Sequence, residues 1–221
     1  MVNTGKKITI PLFCVIFFIA VSQFIVPYIM EPGTVRHMDA NANMLDHSNF
    51  WNTLPFYPRI IYYFGDFNCH QMEHRSFVIN GNQMPMCARD VGIFGGLSFG
   101  LIIPIVLPAR ETASEIILSI LPRKISKKIR RGDERIRKRT GVDVVFSPLL
   151  AIPSVLLALS MVIDGSVQMA SSYESTNPMR LITGLLFGFI SFLWFSAYIH
   201  SALYVPKMPE YLFIGPSGEV K

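Results

Sequence analysis

Charge is scarce in this chain: 16% of its 221 residues are charged and 51% are apolar, whereas a soluble domain is about a quarter charged. That balance, with a mean hydropathy of +0.39, is not one a soluble domain of this length adopts, and it points to a membrane protein. Cysteine is also scarce. There are three, and Cys14 falls inside an apolar run, which leaves Cys69 and Cys87 for any thiol chemistry. Recognisable catalytic signatures are missing as well. The chain has no phosphate-binding glycine loop, no His-Glu-x-x-His and no thioredoxin-type cysteine pair, and no serine-nucleophile elbow is expected. These absences weaken the case for the commonest soluble enzymes without naming a reaction.

What is present begins with four apolar runs of membrane length, Ile8 to Met30, Val91 to Pro108, Val144 to Ile163 and Leu181 to Val205. They predict an all-α fold, an integral membrane four-helix bundle forming a single membrane domain. Lys6 and Lys7 ahead of the first run would suit a cleaved leader, but that run is too long and no small-residue cleavage site closes it, so it is expected to stay as the first span. Gly92, Gly95, Gly96 and Gly100, and then Gly184 and Gly188, have the spacing that lets helix backbones approach closely in lipid.

The segment between the second and third runs (109–141) carries 11 Lys and Arg against four acidic residues from Arg110 to Arg139. The positive-inside tendency makes that loop cytoplasmic and, with four spans, places both termini in the cytoplasm. Its basic core is expected to be a solvated topology determinant. Anionic lipid headgroups are the alternative partner, and nucleic acid is the less favoured one. Thr112 to Leu121 has the pattern of a short amphipathic helix lying on the inner surface, with Glu111 and Glu115 near its start.

The loop 31–88 and the stretch Asp164 to Arg180 then face the extracytoplasmic side as a cap. Glu31 to Thr53 lacks periodicity and is expected to be irregular or poorly ordered, with His37 and His47 solvated. Phe56 to Phe67 is amphipathic and would deliver Cys69 to the membrane surface.

The densest chemistry is Cys69-His70-Gln71, His74-Arg75 and Cys87-Ala88-Arg89-Asp90, just ahead of the second span. Polar groups at a membrane boundary are costly unless paired, so they mark a candidate site. Cys69 and Cys87 could form a structural disulfide, or Cys69, His70, Cys87 and Asp90 could hold a divalent metal such as zinc. Arg75, Arg89 and Arg180 lie at outer helix ends and need anionic partners. Asp90, Asp164 and Glu174 are available as internal partners, and a phosphate or lipid headgroup is the functional alternative. Asp164, ending the third span, and His74 are the candidate acid–base groups; Gln71, Gln168 and Asn177 are polar support.

Five linked elements, Cys69-His70-Gln71, Arg75-Ser76-Phe77, Pro85-Met86-Cys87-Ala88-Arg89 with Gly92, Asp164-Gly165-x-x-Gln168 and Asn177-x-x-Arg180 with Gly184, resemble the membrane proteins of domain-of-unknown-function family 2085. The resemblance covers about Tyr57 to Phe189 and implies a small polytopic membrane protein, with no activity to carry over. The chain departs from the family's Cys-x-Arg-Cys element, because Asp90 stands at the second cysteine. A redox pair within that element is thereby excluded, while aspartate remains able to bind a metal.

Three functional classes stay open at this point. One is a membrane enzyme acting on an anionic lipid or polyprenyl phosphate, another a small transporter, which would need to form a homo-oligomer. The third is a non-catalytic subunit or assembly factor of a membrane complex.

Overall fold

The computed structural model describes residues 4–39, 41, 44–140 and 146–204. Four helices are long and apolar enough to cross a membrane: α1 (Thr4–Ile29), α4 (Ala88–Val106), α7 (Pro148–Ala170) and α8 (Asn177–Ala202). Between them lie α2 (Ser48–Trp51), α3 (Phe56–Asn68), the hairpin β1 (Ser76–Ile79) and β2 (Asn82–Cys87), α5 (Ala113–Leu118) and α6 (Arg123–Thr140). The expected start of the third span at Val144, and Val205 at the end of the fourth, lie outside the described residues. The third long helix does not stop at Asp164: α7 continues to Ala170 and brings Asp164 and Gln168 onto one helix face.

α4 and α8 form the centre of the bundle. Gly92, Gly96 and Gly100 sit on the carbonyls of Leu181, Leu185 and Phe189, while Gly184 and Gly188 sit on those of Arg89 and Ile93. The pairing advances in the same direction along both chains, so the two helices run parallel. Lipid gives apolar helices no hydrophobic reason to associate, and close backbone packing supplies the attraction instead. Gly95 is the exception among the expected glycines; it faces open space. α1 packs along α4 and reaches α8 through a hydrogen-bonding contact of Thr9 Oγ1 with His200 Nε2 at 2.9 Å. α7 lies on α8 with a largely exposed surface, and Asp164 is its one buried residue.

At one end of the bundle the hairpin organises the cap. Asn80 and Gly81 take left-handed conformations (φ 52° and 71°), as a two-residue hairpin turn requires. Asn80 Nδ2 donates to the carbonyls of Tyr28 (3.1 Å) and Met30 (2.9 Å), satisfying groups that the end of α1 leaves free. Asn82, fully buried, donates to Pro27 and Glu31 carbonyls and accepts from Val35 N–H, all at 3.0 Å.

These bonds order much of the segment expected to be loose. Val35 and Trp51 are completely buried in a cluster with Val26, Leu54, Ile61 and Tyr62. Trp51 stacks on Tyr62 at 4.9 Å and donates through Nε1 to the buried Asp66 carboxylate at 2.7 Å. His47 is not solvated but partly buried, 3.6 Å from Asp66, and the exposed His37 meets Glu73 at 2.6 Å. α3 is amphipathic as expected. Phe56, Ile60 and Phe67 lie on its exposed side and Ile61, Tyr62 and Asp66 on its buried side.

The opposite end is basic and more helical than a solvated loop would be. Thr112 caps α5, accepting from Glu115 N–H at 3.2 Å. Ala113, Ile116 and Ile117 then pack on Leu193 and Ala197 of α8, so α5 is docked against the bundle as well as placed at its boundary. Lys, Arg and Glu are good helix formers, and α6 spans Arg123–Thr140. It is anchored by Asp133, which accepts from Ser147 Oγ (2.5 Å) and Leu149 N–H (3.3 Å) and thereby caps α7.

Candidate metal centre and arginine cavity

Cys69 follows the end of α3, where Gly65 presses on β2 so closely that a Cβ there would lie 2.0 Å from the Pro85 carbonyl. Gln71 turns the chain back in a left-handed conformation (φ 46°) and is held by donating Nε2–H to that carbonyl at 2.8 Å and by accepting, at its own carbonyl, from the Gln83 amide. Cys87 closes β2 and occupies the N-cap position of α4, with Asp90 in the first turn.

The Cys87–Asp90 spacing is that of a capping box, but the bonds are not those of one. The Cys87 thiol caps no backbone group and donates to Asp90 Oδ2 at 3.2 Å, and the Cys87 N–H, which a capping box gives to the carboxylate, points to Cys69 Sγ at 3.3 Å. Cys69, Cys87 and Asp90 thus have their ligand atoms within 4.8 Å of one another. The sulfurs are unbonded to each other. His70, expected as a fourth ligand, is exposed and stays outside that triad.

The Cys69 thiol is held far above the ordinary thiol range by its hydrogen bond with Cys87, by burial and by the adjacent thiol and carboxylate charges. A divalent ion would reverse that balance, since metal binding displaces thiol protons. N–H groups at the start of α4 also favour negative charge there.

The triad opens on a cavity of about 540 Å³, whose lining also includes His70, Arg75, Arg89, Gln168 and Arg180. Eight of the residues singled out in the sequence therefore share one space. Asp164, His74, Gln71 and Asn177 stand behind or beside it. Asp164 is ion-paired with Arg89, which also reaches Gln168 Oε1 at 3.5 Å. Glu174 collects Arg75 at 3.1 Å, the nearly buried Arg180 at 3.2 Å and His74 at 2.9 Å. Asn177 accepts from Arg180 (3.1 Å) and donates to the Ser76 carbonyl (3.2 Å), locking α8 to the hairpin.

Arg89 Nε and Gln168 Nε2, both buried, have no acceptor among the described residues. Asp90 differs from the other two carboxylates here in having the Cys87 thiol, and no arginine, as its described partner. The letters Gly-x-Ser-x-Gly occur at 96–100, but they lie inside α4, where Ser98 Oγ donates to the Phe94 carbonyl at 2.9 Å, so they build no nucleophile elbow.

The Glu174 carboxyl is held below the usual carboxylate range, first by its hydrogen bond with Arg75 and then by the charges of His74 and Arg75. A lowered folded-state value means the clamp is fully present above the ordinary glutamate range, near about pH 4.3, and is lost as pH falls through the lowered value. Protection of amides over 73–76 and 174–177, taken relative to the intrinsic exchange rate at each pH, is therefore expected to fall on acidification below about pH 4. Glu174→Gln is expected to show the lowered protection already at neutral pH, and an unchanged acid step in that variant would count against the clamp.

Sequence and geometry agree with the family comparison. Residues 69–125 and 137–194, more than half the chain, match the model of the family described as "Predicted membrane protein (DUF2085)". The chain belongs to that family. The DUF2085 match begins at Cys69 itself, so the thiol–carboxylate triad and the arginine cavity lie within the family segment. The chain is 28% identical to an uncharacterized protein of Methanocaldococcus jannaschii over 175 residues, covering 79% of this chain and 80% of that protein. It is 26% identical over 117 residues to an uncharacterized protein of Methanothermobacter thermautotrophicus, covering 53% of this chain and 74% of that protein. No solved structure matches.

Proposed function

We infer that this DUF2085 protein carries a transition-metal centre at the extracytoplasmic membrane boundary, open to a cavity that takes a phosphate-bearing lipid or polyprenyl headgroup. The observation that carries this reading is Asp90: it is the carboxylate lining the cavity and stands against two thiols, while Asp164 and Glu174 beside the cavity are bound to arginines. Cys69, Cys87 and Asp90 would supply three ligands, and three protein ligands with a free position facing a cavity are the pattern of reactive rather than closed zinc sites. Such an ion supplies Lewis acidity and an activated water. Arg89 Nε and Gln168 Nε2 are the donors left for an anionic group. Asp164, bound to Arg89, positions that guanidinium. The basic 109–141 segment supports the orientation, with both termini cytoplasmic.

Cobalt(II) tests this in chelator-treated, full-length protein in mild detergent. Wild type is expected to gain a thiolate-to-metal band in the near ultraviolet that Cys87→Ser lacks, and dihexanoyl phosphatidic acid is expected to shift the visible cobalt bands. Absence of the thiolate band overturns the metal centre. A band indifferent to the lipid removes the headgroup.

The nearness of the two sulfurs favours one second reading, a Cys69–Cys87 staple in an oxidising compartment. It would stabilise the cap by about 3 kcal/mol through the loop it closes.

A further inference from the structure

A second cavity, at the opposite end of the bundle, has a different charge balance. Arg110, Arg123, Lys127 and Arg130 border a space of about 410 Å³ between α5 and α6, above the side chains of Leu118 and Leu121. Arg130 is paired with Glu115 at 2.5 Å. Arg110, Arg123 and Lys127 have no ion pair among the described residues, Glu111 does not line the space, and Asp133 is occupied at the start of α7. The outer cavity balances its arginines with carboxylates, whereas this one is left with a net positive charge.

The start of α6 sharpens the imbalance. A helix amino terminus favours anions, yet the first turn of α6 has no acidic residue and begins Arg123-Lys124. Of the cations in the first two turns, Arg123 and Lys127 border the space, beside the amino-terminal end of the helix, which suits a phosphate. The position is also that of a lipid headgroup. Arg110 follows the end of α4 by one turn's length of chain, and Ile120, exposed between the lining residues Ser119 and Leu121, offers apolar surface beside the cations.

We propose that the α5–α6 cavity binds the phosphate of an anionic lipid at the basic end of the bundle. Native mass spectrometry of the full chain, titrated with phosphatidylglycerol or phosphatidylcholine, tests this. Wild type is expected to prefer phosphatidylglycerol by at least about tenfold, since each cation near a lipid phosphate contributes severalfold. The triple variant Arg110→Ala, Arg123→Ala, Lys127→Ala is expected to lose that preference. Lys124→Ala, Lys128→Ala, Arg131→Ala removes the same charge from the exposed side of α6, away from the cavity, and is expected to retain it within about threefold.

Equal losses in the two triples would mean diffuse attraction and overturn the site. No preference in wild type would overturn it too. Displacement of the lipid by millimolar inorganic phosphate would reassign the cavity to the free ion.

Discussion

Asp164→Ala is expected to lower stability by on the order of 3 kcal/mol, because it strands Arg89 in a poorly solvated position. Asp164 is 6% exposed and Arg89 23%, so some screening remains and the lower part of the range for broken buried pairs applies. The effect should concentrate on α7, whose single buried residue this is. A buried ion pair is costly to form, and two well-packed apolar residues can replace it with little loss. Arg89→Met with Asp164→Leu should therefore recover most of the stability, while losing any headgroup affinity that depends on Arg89. Thermal unfolding in detergent reads both variants. A single variant as stable as wild type would show that α7 is held by α8 alone.

Gly96→Ala and Gly95→Ala form a matched pair with opposite expectations. A Cβ at Gly96 would lie 2.3 Å from the Leu185 carbonyl and 2.6 Å from the Phe189 nitrogen. Both obstacles are backbone, so only separation of α4 and α8 relieves them, and the whole glycine seam would open. A loss of about 4 kcal/mol or more, or failure to accumulate, is expected. Gly95 meets nothing within 4 Å, and alanine there should be neutral or stabilising by up to about 1 kcal/mol through helix propensity. Similar behaviour of the two variants would contradict the parallel α4–α8 seam.

The spans were legible because run length and hydropathy are local properties, and the seam because glycine spacing is. Gly95 could not be separated from Gly92, Gly96 and Gly100 without knowing which face of α4 meets α8. The hairpin has a local signal too: Asn80-Gly81 is the two-residue turn that joins short strands. The ordering of Val35 and Met38 has none, since it comes from Asn82 and Gln83 reaching across the cap to them. α6 was hidden by its charge, its docking depending on Asp133 meeting the start of α7.

At the site, the residue types were readable and the pairings only partly so. Asp164 and Glu174 were visible as partners for the arginines. That Asp90 would be the carboxylate left to the thiols, with His70 outside, depends on how the end of α3 meets the start of α4.

The central claim is the metal centre, and the most direct measurement is elemental metal content, with thiol counting on the same sample, of protein purified in mild detergent without chelators. The account predicts near-stoichiometric zinc or another divalent transition metal, Cys69 and Cys87 both reduced, and loss of the metal in Cys87→Ser and Asp90→Asn. Absence of metal with two thiols missing from the count would contradict it and leave the disulfide staple in its place.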